Sequence, residues 1–250
     1  MTFIKISQDD NIATLTLNRG KVNAINLEMV GNIRPGFENL ENDSSVRAVI
    51  LTGRDKFFSF GFDVPELLEY SREELADFLT EFTDLYSYLY LYPKPLIAAL
   101  NGHAVAGGCM LALPADFRIM APGKARIGLN EVNIGASVFA GSVEMLTALV
   151  GGRCAHEILM GGALYDAEAA LRLGLIDRVS SGDGVMQDAR ALAAEFAGKN
   201  AAAFTSIKTL IRRPAAAAMR EREKKSIEEF IEIWFSEENR KSLRDVKIRS

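Results

Sequence analysis

Pro95-Leu96-Ile97-Ala98-Ala99-Leu100-Asn101-Gly102-His103-Ala104-Val105-Ala106-Gly107-Gly108-Cys109-Met110-Leu111-Ala112-Leu113 is the stretch from which the fold can be read. It opens with a short apolar run, Asn101-Gly102-His103 is a turn signal, and the glycine pair starts a second apolar segment, so the order is strand, turn, helix start. Free N–H groups at the start of a helix carry partial positive charge, which places Gly107 to present its N–H to an anionic oxygen. Taken alone, the glycine pair is better explained by close helix packing, because a strand followed by glycines is common in α/β proteins. The spacing is neither that of a P-loop nor that of GxGxxG, which argues against nucleotide binding.

Working outward, Ile12–Leu17, residues 46–52 and Phe117–Met120 are further short runs rich in Ile, Val, Leu and Thr, and they read as strands. Between them, Ser71 and Glu74 form a capping box, after which Leu75, Phe78, Leu79, Phe82, Leu85, Tyr86 and Leu89 recur at helical spacing. Tyr92-Pro93 ends that helix. Residues 26–40 also have helical spacing, although Gly31 and Pro35 predict a kink or break. Strands alternating with helices imply an α/β core with parallel pairing. From Val185 the chain becomes rich in Ala, Glu, Lys and Arg, with Leu192, Phe196, Ile227, Phe230, Ile231 and Phe235 as apolar stripes on polar helices. The expected organisation is a core over residues 1–190 and a helical region over 191–250 that packs on the core or on a neighbouring subunit, with Trp234-Phe235 as the anchor.

With 250 residues and 48% apolar content the chain can bury a substantial core. Its 29 basic and 33 acidic residues leave a net charge of -4, which gives no case for nucleic-acid binding. No run approaches the roughly 18 apolar residues that span a bilayer, and the first ten residues resemble neither a signal nor a transit peptide, so a cytoplasmic location away from membranes is expected. Cys109 and Cys154 form no CxxC pair, and with His103 and His156 they match no common zinc spacing; no metal is expected and both thiols are read as reduced.

Leu51-Thr52-Gly53-Arg54 leads into Phe57-Phe58-Ser59-Phe60-Gly61-Phe62-Asp63, where aromatic residues crowd a Ser and a Gly too tightly for one helix face. This is read as a shaped loop lining an apolar pocket. These passages resemble the crotonase, or enoyl-CoA hydratase/isomerase, superfamily, in Val49-Ile50-Leu51-Thr52-Gly53, Phe58-Ser59-Phe60-Gly61-Phe62-Asp63, Pro95-Leu96-Ile97-Ala98-Ala99-Leu100-Asn101-Gly102, Ala115-Asp116-Phe117-Arg118-Ile119 and Ala170-Leu171-Arg172-Leu173-Gly174-Leu175-Ile176-Asp177. The order of the pieces carries the likeness over almost the whole chain. The resemblance implies a spiral core of stacked β-β-α turns, a helical C-terminus used in a homotrimer or dimer of trimers, and an acyl-CoA thioester ligand in which coenzyme A is part of the substrate rather than a separate cofactor. It also implies an oxyanion hole made by the N–H groups of Phe62 and Gly107.

The hydratases of that superfamily carry two glutamates, and only one has a counterpart here. The first position is Met110, whose thioether cannot exchange protons; the second is Glu131. A single carboxylate suits removal of a proton from C2 of a 3-enoyl thioester and its return to C4. Ile127-Gly128-Leu129-Asn130-Glu131 is similar to the single-glutamate 3,2-enoyl-CoA isomerases, with Asn130 contacting substrate or orienting the loop. Glu131 lies in a run with Val132, Ile134, Val138 and Phe139, expected to be buried, where a raised carboxyl pKa suits a general base. By the same resemblance Val22 and Ala24, with Ser59, Phe60, Gly61, Phe62 and Asp63, line the coenzyme A track, joined by Gly107, Met110 and Asn130. Lys21 and Arg54 are weaker candidates for phosphate, and Arg240, Lys241 and Lys247 for a neighbour's ligand. Phe60, Phe62, Phe82, Tyr86 and Phe139 are expected to shape the acyl pocket. Other readings left open are a hydratase, decarboxylase or thioester hydrolase using another acid, for which Asp63 is the candidate, and a non-catalytic acyl-CoA-binding protein.

Overall fold

The computed structural model describes residues 2–181 and 184–239. An antiparallel hairpin of β1 (Ile4–Asp9) and β2 (Ile12–Leu17) leads to α1 (Leu27–Asn42). Three passes of one plan follow: β3 (Ala48–Thr52), β4 (Phe57–Ser59), α2 (Val64–Leu67) and α3 (Arg72–Tyr90); β5 (Leu96–Leu100), β6 (His103–Val105) and α4 (Gly107–Ala112); β7 (Phe117–Met120), β8 (Ile127–Gly128) and α5 (Ala140–Gly161). The chain ends in α6 (Ala167–Arg172), β9 (Arg178–Val179), α7 (Val185–Ala197) and α8 (Ala201–Trp234). Each pass gives its first strand to a six-stranded sheet, ordered β1-β2-β3-β5-β7-β9, and its second to a three-stranded sheet, ordered β4-β6-β8. Pairing is parallel throughout except in the first hairpin. This is the spiral of β-β-α turns with a helical C-terminal region that the resemblance implied.

The continuous apolar strands are explained by burial on both faces. Along β3, Val49 and Leu51 enter the main core while Ala48 and Ile50 face the other way, and β5 alternates likewise, with Leu96, Ala98 and Leu100 against Ile97 and Ala99. The second face is closed by Val185, Ala189, Leu192 and Ala193 of α7. The organisation read from the sequence divides the chain after residue 190, inside α7; that helix packs on the sheet along its length.

α3 begins where its capping box predicts: Glu74 N donates to Ser71 Oγ at 3.2 Å and Ser71 N to Glu74 Oε2 at 2.7 Å. The break expected at Gly31 and Pro35 does not occur, because α1 runs unbroken through both. Pro35 is exposed and removes the bond to the carbonyl of Gly31, which is also exposed, so water can take that carbonyl while Met29, Val30, Ile33, Phe37 and Leu40 hold the opposite face in the core. α8 turns its last residues inward, where Phe230 and Trp234 stack with centroids 5.6 Å apart. Arg72 lies over the Phe235 ring at 4.9 Å, so the Trp234-Phe235 pair packs on its own chain. Among the described residues no helix is long and apolar enough to cross a membrane.

Candidate active site

The three-stranded sheet assembles the site. Because β4, β6 and β8 are parallel neighbours, with one irregularity in register between Phe57 and Ser59, the segments leaving their C-terminal ends emerge side by side: Phe60 to Asp63, then Ala106 and Gly107, then Leu129 to Glu131. Ligands collect at such strand ends in α/β folds.

The first segment is clamped by residues 22–25. Phe60 N donates to Val22 O at 3.0 Å, Ile25 N to Gly61 O at 2.8 Å and Asp63 N to Ile25 O at 2.9 Å. That parallel bridge engages the groups on either side of Phe62 and leaves the Phe62 N–H facing away from it. Ser59 is buried and shapes the turn: its Oγ donates to Asn23 O at 2.7 Å and accepts from Gly61 N at 3.2 Å. Asn23, in the left-handed region at φ 50°, ties the loop down by donating from Nδ2 to Phe58 O at 3.1 Å. Val22 and Ala24 are buried beside it, and Ala24 O accepts from Arg19 Nη1. Asp63 is committed elsewhere: its carboxylate pairs with Arg19 Nη1 at 2.7 Å and caps α2 by accepting from Glu66 N.

The second segment turns at Ala106, a non-glycine residue at φ 51° and ψ -122°, a conformation that costs of order 1–3 kcal/mol and is typical of functional turns. Gly107 then starts α4, where the first intrahelical bond is Met110 N to Ala106 O, leaving the Gly107 N–H without an acceptor in the helix. The two turns touch. A Cβ at Gly61 (φ 95°) would fall 2.8 Å from Val105 O and 3.2 Å from Gly107 N, and one at Gly107 would strike the Phe62 ring at 2.8 Å. Glycine at both positions is what brings the Phe62 and Gly107 peptides together.

Glu131 begins a 3-10 helical turn, Glu131–Ile134, closed by Gly135. It is 5% exposed and neither carboxyl oxygen has a hydrogen-bond partner among the described residues. Burial pushes its pKa up to about 8, against a smaller downward pull from its own backbone N–H. It faces a cavity of about 110 Å³ lined also by Phe60, Phe62, Val64, Val105, Ala106, Met110, Asn130, Ile134, Ala136, Leu164, Phe230 and Trp234. A groove between α3 and α8 is larger, about 520 Å³, but the unpartnered buried carboxylate belongs to the smaller space.

The structure thus brings Phe60, Phe62, Met110, Asn130 and Glu131 around one cavity, with Gly107 against Phe62. Val132 is 50% exposed rather than buried, because the 3-10 turn that aims Glu131 inward carries its neighbour outward. Phe82, Tyr86 and Phe139 do not line the cavity. Phe82 and Phe139 back it, with Phe62 edge-on to Phe82 at 4.8 Å and tilted against Phe139 at 6.3 Å, and the Tyr86 hydroxyl turns to Glu223. Arg54 reaches across to the segment after β2, donating to Asn18 Oδ1 and Gly20 O, and Lys21 is exposed. Arg240, Lys241 and Lys247 lie outside the described residues. The sequence reading missed Leu164, Phe230 and Trp234 as cavity walls; the available signal was Trp234 four residues after Phe230 on an apolar stripe. Cys109 is fully buried, and burial pushes its thiol well above the usual range.

A profile of the family described as Enoyl-CoA hydratase/isomerase matches residues 7–246. The chain belongs to this family. Enoyl-CoA delta isomerase 1 of Rattus norvegicus mitochondria is 36% identical over 187 residues, 74% of this chain and 65% of that protein. The short-chain-enoyl-CoA hydratase of Clostridium acetobutylicum is 35% identical over 190 residues, 75% and 72% of the two chains. The crystal structure of human mitochondrial delta3-delta2-enoyl-CoA isomerase superposes with a TM-score of 0.93 at 29% identity, covering 97% of this chain and 95% of that one. The crotonase fold is therefore established, and with it the hydratase/isomerase class of enzyme. Family members carry both names, so the division between the two reactions rests on the site.

Proposed function

We propose that this crotonase-family enzyme converts 3-enoyl-CoA thioesters to trans-2-enoyl-CoA thioesters. The observation that carries the reading is the pairing of a buried, unpartnered Glu131 with a buried Met110 in one cavity. In the reaction the thioester oxygen accepts hydrogen bonds from Phe62 N–H and Gly107 N–H. The Glu131 carboxylate removes a proton from C2, the electron pair moves into the conjugated dienolate, and the same carboxyl group returns a proton at C4. Charge that develops on the thioester oxygen is met by donors already in place, which is where the largest rate contribution is usually found. Glu131 must be ionised to act, so kcat/KM rises as pH passes through about 8 in the free enzyme.

Hydration is the second reading, favoured by relatives named as hydratases. Addition of water needs a further group to organise the water, and Met110 supplies none; Asp63, the other carboxylate nearby, is engaged by Arg19 and the α2 N-terminus. The test is a panel of 3-enoyl-CoA and 2-enoyl-CoA thioesters assayed in parallel for isomerised and hydrated product. Double-bond migration without hydration supports the isomerase. Hydration of the 2-enoyl members refutes it, and thioester binding without turnover would leave an acyl-CoA-binding protein. Assembly as a homotrimer or dimer of trimers is part of the proposal, supported by the exposed apolar strip Ile207, Leu210 and Ile211 on α8.

A further inference from the structure

The cavity contains more unsatisfied polar groups than the isomerisation uses. Besides Glu131, two of its wall residues carry buried side-chain atoms with no hydrogen-bond partner among the described residues: Asn130 Oδ1 and Trp234 Nε1. The first is an acceptor and the second can only donate. Trp234 is 2% exposed, and its ring is held by the stack with Phe230, itself packed on Phe139 at 5.0 Å, so the indole is not free to swing toward solvent. An orphaned buried N–H carries a desolvation cost that nothing offsets. A phenylalanine at 234 could fill the same stack without that cost, so a wall meant for a plain hydrocarbon chain has no use for the indole nitrogen.

We propose that Trp234 Nε1–H and Asn130 Oδ1 form a polar subsite for a hydroxyl group on the acyl chain, so that the preferred substrates are acyl-CoA thioesters hydroxylated beyond the reacting carbons. A hydroxyl accepts one hydrogen bond and donates another, which is what this donor and acceptor require. The remaining walls, Phe60, Phe62, Val64, Val105 and Phe230 among them, are apolar and take the methylene carbons. This inference rests on reading the cavity as the acyl pocket and specifies which acyl chains it takes.

The test uses binding, so it does not depend on the isomerase reaction. Saturated acyl-CoA thioesters from hexanoyl to octanoyl are compared with the same chains ending in hydroxyl instead of methyl, which puts the hydroxyl on C5 or beyond, on the full-length enzyme. At one chain length the hydroxyl form should bind roughly three- to tenfold tighter. Because Trp234 is the single tryptophan, it gives one indole N–H resonance, which should move downfield with that hydroxyl ligand and not with its methyl partner. In Trp234→Phe the ratio of the two dissociation constants should fall to one or below. Three results overturn the proposal: tighter binding of the methyl form at every length, an indole resonance indifferent to the hydroxyl, or a hydroxyl preference that survives in Trp234→Phe. A pair that does not bind at all also overturns it, whereas failure of double-bond migration with the preference intact would refute the isomerase reading alone.

Discussion

Glu131 keeps its proton near neutrality because burial has removed its water and no neighbour replaces it. That has a consequence for stability whose sign is opposite to that of a salt-bridged acid. The folded chain holds this proton up to about pH 8, whereas the unfolded chain releases it near the ordinary value of 4.5. Between those values the folded state binds more protons, so stability falls as pH rises. Glu131→Gln removes that dependence, and urea unfolding should find the variant equal to the wild type near pH 4.5 and more stable by a few kcal/mol above pH 8. If the stability difference is flat with pH, the carboxyl group is not held in this way. Gly107→Ala keeps the peptide N–H but drives a methyl into the Phe62 ring, so both donors shift; the turnover should drop ~10²–10³-fold with the fold retained. At this scale the sequence was legible in part: Gly61 and Gly107 marked turns, while the roles assigned to Phe62, Gly107 and Glu131 came from the family resemblance, since no backbone conformation asks for a glutamate. Trp234 could not be placed there, because its contact with Glu131's cavity depends on the path of α8, which ends at Trp234, more than a hundred residues beyond Glu131.

The elements depend on each other at their ends. α5 starts with no side-chain cap on its own N-cap residue, yet its first N–H groups are satisfied from α8: Ala140 N donates to Ser226 Oγ at 3.0 Å and Gly141 N to Glu223 Oε2 at 2.8 Å, while Tyr86 of α3 donates to Glu223 Oε1 at 2.7 Å. One turn of α8 thus caps α5 and sets where Phe230 and Trp234 meet the cavity. Glu223→Ala should cost about 1–3 kcal/mol in urea unfolding and lower turnover, with Glu223→Gln intermediate because its amide can still accept from Gly141 and donate to the tyrosine oxygen. Neither cost would appear if the contact is incidental. Such a cap is invisible to local patterns, since donor and acceptor are some eighty residues apart. The α3 capping box was legible because both partners sit within four residues. The expected break at Pro35 failed for a related reason: local propensity sees the lost hydrogen bond but not the exposed position and the apolar face that outweigh it.

For the whole molecule, the repeated strand pattern made the parallel α/β core legible, while the split of each pass between two sheets came from the resemblance, since no local signal says which sheet a strand joins. The assembly surface is a separate matter. Ile211 is 73% exposed beside Ile207 and Leu210, and Ile211→Glu should shift the particle toward monomer in light scattering without loss of secondary structure; an unchanged mass would place the interface elsewhere. The central claim is that one carboxyl group performs the proton transfers, and the most direct measurement is the rate of 3-enoyl to 2-enoyl conversion by Glu131→Gln at pH 9, alongside wild type at saturating substrate. The account predicts a loss of about 10²–10⁴-fold in kcat with thioester affinity preserved. A variant that turns over at a rate close to that of the wild type would contradict it.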